Sequence, residues 1–296
     1  MSKQISVERI YNLDLNSDQT EANSNLISKE LFFDKNKNLI KEVSYNPPGL
    51  TEQTTAYKYD EQNRLIEECC YDADDDLLEN TKFFWDGENR KIKEEKHYLD
   101  GSSDTTIFTY NKNGDLVEKV QTDDEDEVEA KEVFVYQDNL LLEHLKYGED
   151  EELEEKKTFT IEEGKSRTEI HWDGFEQTET KKEFRFTEDG RVEKELFFNS
   201  KGELTKKIEY LKFHKEFILE FMEEDQYHQN TTKLVYDEHN SVILQEQFNK
   251  EGQLNHRIER TFNQDRELTE VLTFVNSGGQ GVNLHFKEVH KYEYFE

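Results

Sequence analysis

The chain has 296 residues, of which 33% are hydrophobic, 36% charged and 12% aromatic, and it carries a formal net charge of -31. Such acidity argues against nucleic acid or an anionic membrane as partner, because phosphates draw lysine and arginine patches. It permits long-range steering of a basic partner, and it equally serves to keep an extended sheet soluble and apart from its copies. Its 20 Phe and 14 Tyr exclude the disorder that low hydrophobicity and high charge otherwise signal, so the apolar surface is expected to be spread over a layer rather than gathered in a deep core.

The amino terminus, MSKQISVERIYNLDLNSD, has no apolar core of a secretory signal, and residues 1–26 read as a terminal cap. From there a repeat begins. Bulky residues followed by a turn recur at Phe33, Tyr59, Trp85, Tyr110, Tyr136, Ile161, Phe186, Tyr210, Tyr236 and Phe262, in steps of 24 to 26 residues. Each has a companion about half a period on: Tyr45, Tyr71, Tyr98, Thr122, Tyr147, Trp172, Phe198, Met222, Phe248 and Phe274. Asp or Asn follows the first residue at Asp34, Asp60, Asp86, Asn111, Asp237 and Asn263, and Gly or Asn comes soon after, as in NKNGD (Asn111 to Asp115). Those residue types make tight turns, since Asx side chains bond their own backbone and Gly and Asn tolerate positive φ. An aliphatic then stands six residues past the aromatic, at Leu39, Leu65, Leu116, Val192, Val242 and Leu268.

A half-period of 12 or 13 residues fits a strand plus a short turn and is too short for a parallel crossover. The prediction is all-β: an elongated, curled or spiralling antiparallel sheet of about ten β-hairpin repeats over residues 27–275, solenoid-like, with a C-terminal cap at 276–296. Strict alternation would put Tyr57, Tyr59, Leu65, Cys69 and Tyr71 on one aromatic face, with Lys58, Arg64, Glu68 and Cys70 on a charged one. Likewise Phe184, Phe186, Val192, Leu196 and Phe198 would share a face, as would Leu268, Leu272 and Phe274. The regularity lapses at the loop Pro47 to Leu50 and in LKFHKEFILEFMEED, where a longer strand pair and a short helix are both open; Ser277 to Gly281 reads as a flexible connector.

The stretches YDEQNRLIEE (Tyr59 to Glu68), FTEDGRVEKE (Phe186 to Glu195) and WDGENRKIKEE (Trp85 to Glu95) resemble the YD repeats of RHS proteins. The resemblance implies a long antiparallel sheet that curls or spirals, in large members around a toxin. The chain also looks somewhat like MORN-like repeat antitoxins, small intracellular hairpin arrays.

No residue is singled out as catalytic, cofactor-binding or metal-ligating, and no cofactor is expected. The nine histidines are scattered, and His285 and His290, five apart, should lie on opposite strand faces. Asp72 to Asp76 resembles a calcium loop, but Phe83 stands where the terminal glutamate belongs. That run and Asp123 to Glu129 read as acidic hairpin tips. Cys69 and Cys70 read as free thiols on opposite faces. The expectation is a non-enzymatic bacterial cytoplasmic protein that binds or scaffolds another protein; neutralising a basic toxin is the immunity-like alternative, and an enzyme with a site on a concave face is a third reading. Contacts are expected on the charged face and hairpin tips.

Overall fold

The computed structural model describes residues 4–15, 26–46, 50–162, 164–276 and 284–296. The expectations for Pro47 to Gly49 and for Ser277 to Gly281 lie outside them. Every regular element among the described residues is a β-strand. In chain order they are β1 (Ile5–Leu15), β2 (Leu26–Phe33), β3 (Leu39–Asn46), β4 (Leu50–Tyr59), β5 (Leu65–Tyr71), β6 (Leu77–Trp85), β7 (Lys91–Tyr98), β8 (Ser103–Tyr110), β9 (Leu116–Thr122), β10 (Val128–Gln137) and β11 (Leu140–Tyr147). The second half holds β12 (Leu153–Glu162), β13 (Ser166–Asp173), β14 (Thr178–Phe186), β15 (Val192–Phe198), β16 (Leu204–His214), β17 (Phe217–Asp225), β18 (Gln229–Tyr236), β19 (Val242–Asn249), β20 (Leu254–Phe262), β21 (Leu268–Val275) and β22 (Leu284–Tyr294). The ambiguous stretch near Tyr210 is therefore a strand pair, β16 and β17, turned at Lys215. Two compact units form, one from residues 1–82 with 231–296 and the other from 83–230.

Apart from Tyr210 and Met222, which lie inside β16 and β17, the predicted bulky residues stand at or next to strand ends and the polar runs after them are turns. In the second unit Asn111 shows the device. Its Oδ1 accepts from the amides of Asn113 at 2.9 Å and Asp115 at 3.0 Å, while its carbonyl accepts from Gly114 N at 3.1 Å. The fourth turn residue must then take positive φ, which Gly114 does at 89°. Asp34, Asp60, Asp86, Asp123, Asn199, Asp237 and Asn263 repeat the two side-chain bonds. Gly114→Ala should cost about 1 kcal/mol, because open space surrounds the new methyl and only the backbone conformation penalises it; chemical denaturation would show the midpoint falling with an unchanged slope.

Just after most turns the structure departs from alternation. Tyr59 pairs with Leu65 but Lys58 pairs with Glu67, so Ile66 is an extra residue. The same bulge recurs in the first unit at Ile40, Leu78, Asn255 and Thr269. The second unit has it at Val117, Glu129, Leu142, Glu154, Glu193 and Thr205. A bulge shifts the strand by one residue, and a one-residue shift sends the following side chains to the opposite face.

The expected single aromatic face is therefore corrected. Tyr57, Tyr59 and Leu65 share a face with Glu68, whereas Cys69 and Tyr71 lie on the other with Lys58 and Ala56. Likewise Phe184, Phe186 and Val192 face one way with Glu195, and Leu196 and Phe198 the other way with Glu183 and Lys181. Leu268 is similarly separated from Leu272 and Phe274. Each face thus carries aromatic rings near one margin and charged pairs inward of them. Tyr98 leaves its row, opening a turn through its own amide to Ser102 O at 3.0 Å.

The core is as thin as the composition implies. Among the described residues only Leu13, Val43, Cys69 and Leu196 are buried apolar side chains, and Val43, Cys69 and Leu196 hold the same place in their repeats, two residues before the companion ring.

In the first unit β22 pairs with both β21 and β1, and β1 also pairs with β2. The first and last strands are joined to each other, so neither is a free edge. This corrects the expectation of a spiralling, solenoid-like array. Joining terminal strands is the device by which antiparallel barrels remove their edges.

Acidic hairpin tips as the candidate functional site

In the second unit the turns β9–β10, β11–β12 and β13–β14 lie at one end of neighbouring antiparallel strands, two strands or roughly 10 Å apart. Their residues are Asp123 to Glu127, Gly148 to Glu152 and Asp173 to Gln177. They carry five, four and two carboxylates, and no Lys or Arg. The turns at the opposite end are mixed, with Arg90, Lys112 and Arg191 among them.

Local chemistry builds each tip. Asp123 Oδ1 accepts from Glu125 N at 3.0 Å and Glu127 N at 2.8 Å. Asp173 Oδ1 accepts from Phe175 N and Glu176 N, both at 2.9 Å. The middle tip opens on Gly148, which has no side chain to cap it, and places Glu151 at φ 57°. Carboxylates thus occupy two positive-φ positions, Asp126 and Glu151, that glycine would fill at lower cost. A cleft of about 530 Å³ separates the second and third tips, with Leu153 and Phe175 among acidic walls. Phe175 is 98% exposed. Gly174 locks the two tips together by donating its amide to Glu154 O, the carbonyl of a bulge residue, at 2.7 Å.

Away from the tips, many charges on the sheet faces are paired. Glu132 sits between Lys119 Nζ at 2.9 Å and His144 Nε2 at 2.8 Å. Burial alone would raise the pKa of Glu132, but these hydrogen bonds outweigh it and hold the carboxyl below its ordinary range. Glu195 is lowered in the same way: burial opposes ionisation, while Tyr210 Oη at 2.6 Å and Lys182 Nζ at 2.9 Å favour it. Burial and that glutamate push the Tyr210 phenol well up. A cleft of about 640 Å³ near Arg191 is similarly engaged, since the guanidinium stacks over Phe213 at 4.6 Å and pairs with Asp189 at 2.5 Å.

The predicted acidic tips are thus in place, Asp72 to Asp76 included, where Asp74 N and Asp76 N bond to Asp72 Oδ1. Cys69 and Cys70 are free thiols on opposite faces, with Cys69 buried. His285 and His290 also diverge. His290 lies on a strand face and is buried there. The sequence reading missed the clustering of three tips. Its signal was there: the densest acidic runs recur at the period of the repeat.

Among the described residues no His, Cys, Asp and Glu side chains gather as a metal-binding group, and no helix is long and apolar enough to cross a membrane. No protein-family model and no curated protein matches the sequence. Among solved structures, similarity is found to a porin-like protein from Bacteroides uniformis ATCC 8492 at 9% identity and a TM-score of 0.32, covering 99% of this chain and 98% of that one. A second is a chain of the TcdB2-TccC3-TEV structure, at 11% identity and a TM-score of 0.28; it is matched over 97% of this chain, which spans only 18% of that much longer one.

Proposed function

We propose that this is a non-enzymatic, YD-like hairpin-repeat protein that binds another protein, and that the acidic tips of the second unit receive a basic segment of that partner. The observation that carries the reading is eleven carboxylates on three neighbouring tips without one lysine or arginine, flanking a cleft with an exposed phenylalanine. Like charges held this close repel, and a cationic partner relieves that repulsion. Phe175 supplies an apolar anchor of the kind that dominates binding energy once desolvated. The YD-like reading is supported by its Asp and Arg having a joint structural role: Asp60 pairs with Arg64 and Asp86 with Arg90, both at 2.7 Å, across the turn. Neutralisation of a basic toxin is the narrower form of this function, and residence in a bacterial cytoplasm belongs with it.

The test uses an oligolysine peptide as probe. Glu149→Gln, Asp150→Asn and Glu152→Gln together should weaken binding about tenfold at low salt, and the wild-type affinity should fall steeply with ionic strength. Three neutralisations at the opposite turns (Glu88→Gln, Glu188→Gln, Asp189→Asn) should change it less than about twofold. Equal losses from both sets would mean that net charge alone attracts the probe, and the proposed site would be abandoned.

A further inference from the structure

The join between β1 and β22 contains a histidine held between two carboxylates. His290 pairs across the strands with Ile10, and its side chain is 7% exposed. Nδ1 lies 2.7 Å from Glu8 Oε1 on β1, and Nε2 lies 2.8 Å from Glu288 Oε1 on its own strand. Neutral imidazole has one N–H and can donate to only one carboxylate; with both glutamates ionised, both contacts at these distances are met by imidazolium. Tyr292 completes the group, its hydroxyl 3.2 Å from Glu8 and 2.7 Å from the Leu268 carbonyl of β21.

The surrounding charges do not substitute for that proton. Lys29 of β2, across from Ile10, is engaged with Glu42 of β3 at 2.6 Å. Arg9 and Lys291 face the other way, and Arg9 binds Glu30 and Glu293. Glu267, before β21, accepts from Tyr294 at 2.5 Å. Arg260 of β20 pairs with Val271, one strand beyond Glu288.

We propose that His290 is a proton-operated clasp on the seam between the first and last strands, closed while both ring nitrogens carry protons and released when one is lost. Loss of the proton turns one nitrogen into an acceptor facing a carboxylate. It also leaves Glu8 and Glu288 without the cation between them. Burial alone would lower the pKa of His290, but the hydrogen bonds to Glu8 and Glu288 and their charge outweigh it, so the value is raised above the ordinary 6.5. The folded seam therefore holds a proton that the opened chain would release. Its contribution is full below about 6.5 and declines as pH rises through the raised value.

Amide hydrogen exchange in β1 and β22, corrected for intrinsic chemistry and referenced to β12 and β13 of the other unit, tests this at pH 6.5 and 9. In the wild type the opening equilibrium of the seam should rise about threefold or more, and in His290→Gln it should stay flat between the two pH values. An equal rise in both proteins, or none in the wild type, overturns the clasp. Should the variant fail to fold, a nitrogen NMR titration of wild-type His290 decides: both ring nitrogens should stay protonated to a pH above the ordinary 6.5, and loss of the second proton at or below that pH overturns the proposal.

Discussion

Gly174→Ala is expected to destabilise the second unit by about 2 kcal/mol or more and to disturb the acidic tips with it. A methyl here would lie 2.6 Å from Leu153 O, 2.8 Å from Glu154 O and 2.8 Å from Trp172 Cη2. Two of the three obstacles are backbone oxygens, so no rotamer change relieves the overlap. Separation would stretch the Gly174 N to Glu154 O bond that holds two tips in register. Thermal melting and oligolysine titration should therefore report together: a lower midpoint, and weaker binding although no charge has changed. A variant melting within about a degree of wild type would show that the backbone yields easily here, and the tips would not be a preformed site.

Leu196→Ala should cost about 2–4 kcal/mol, measured by denaturant unfolding. Leu196 is one of the few apolar side chains shielded from water, on the face it shares with Phe198. A layer this thin cannot collapse to fill the space, since its strand neighbours are the charged Glu183 and Lys207. Leu204, 52% exposed, is the comparison; its alanine variant should change stability by less than about 0.5 kcal/mol. Similar losses at the two sites would show that burial within the layer does not order the energetics.

The repeat, its turns and its strands were legible because each rests on local chemistry. Asp60 and Asn111 bond their own turns, and the tyrosines and phenylalanines recur at fixed distances. The faces were not legible by alternation alone. Tyr59 and Tyr71 are twelve apart, an even number, yet Ile66 displaces the strand between them. A clue exists in the apolar doublets Leu39–Ile40, Leu65–Ile66 and Leu116–Val117, where two adjacent bulky residues open a strand that should alternate. Glu154 and Glu193 occupy the same place without an apolar doublet, so the clue is partial. The join of β1 to β22 was beyond local reading altogether. It is made by residues almost a chain length apart, as Glu8 and His290 are. The acidic site failed to stand out for another reason: with 69 acidic residues, a cluster becomes visible only once the strands place its members side by side.

The extra residue at the head of most strands has an evolutionary corollary. A typical repeat holds two such insertions, one in each of its strands, and their inversions cancel. Gain or loss of a whole unit by recombination would therefore hand the next unit an unaltered orientation. Deleting the single codon for Ile66 would instead turn the rest of its strand over, moving Cys69 to the face of Tyr57 and Glu68 to the face of Ala56. Length variation in such chains should accordingly come in whole multiples of the period, with single-residue gaps confined to the turns.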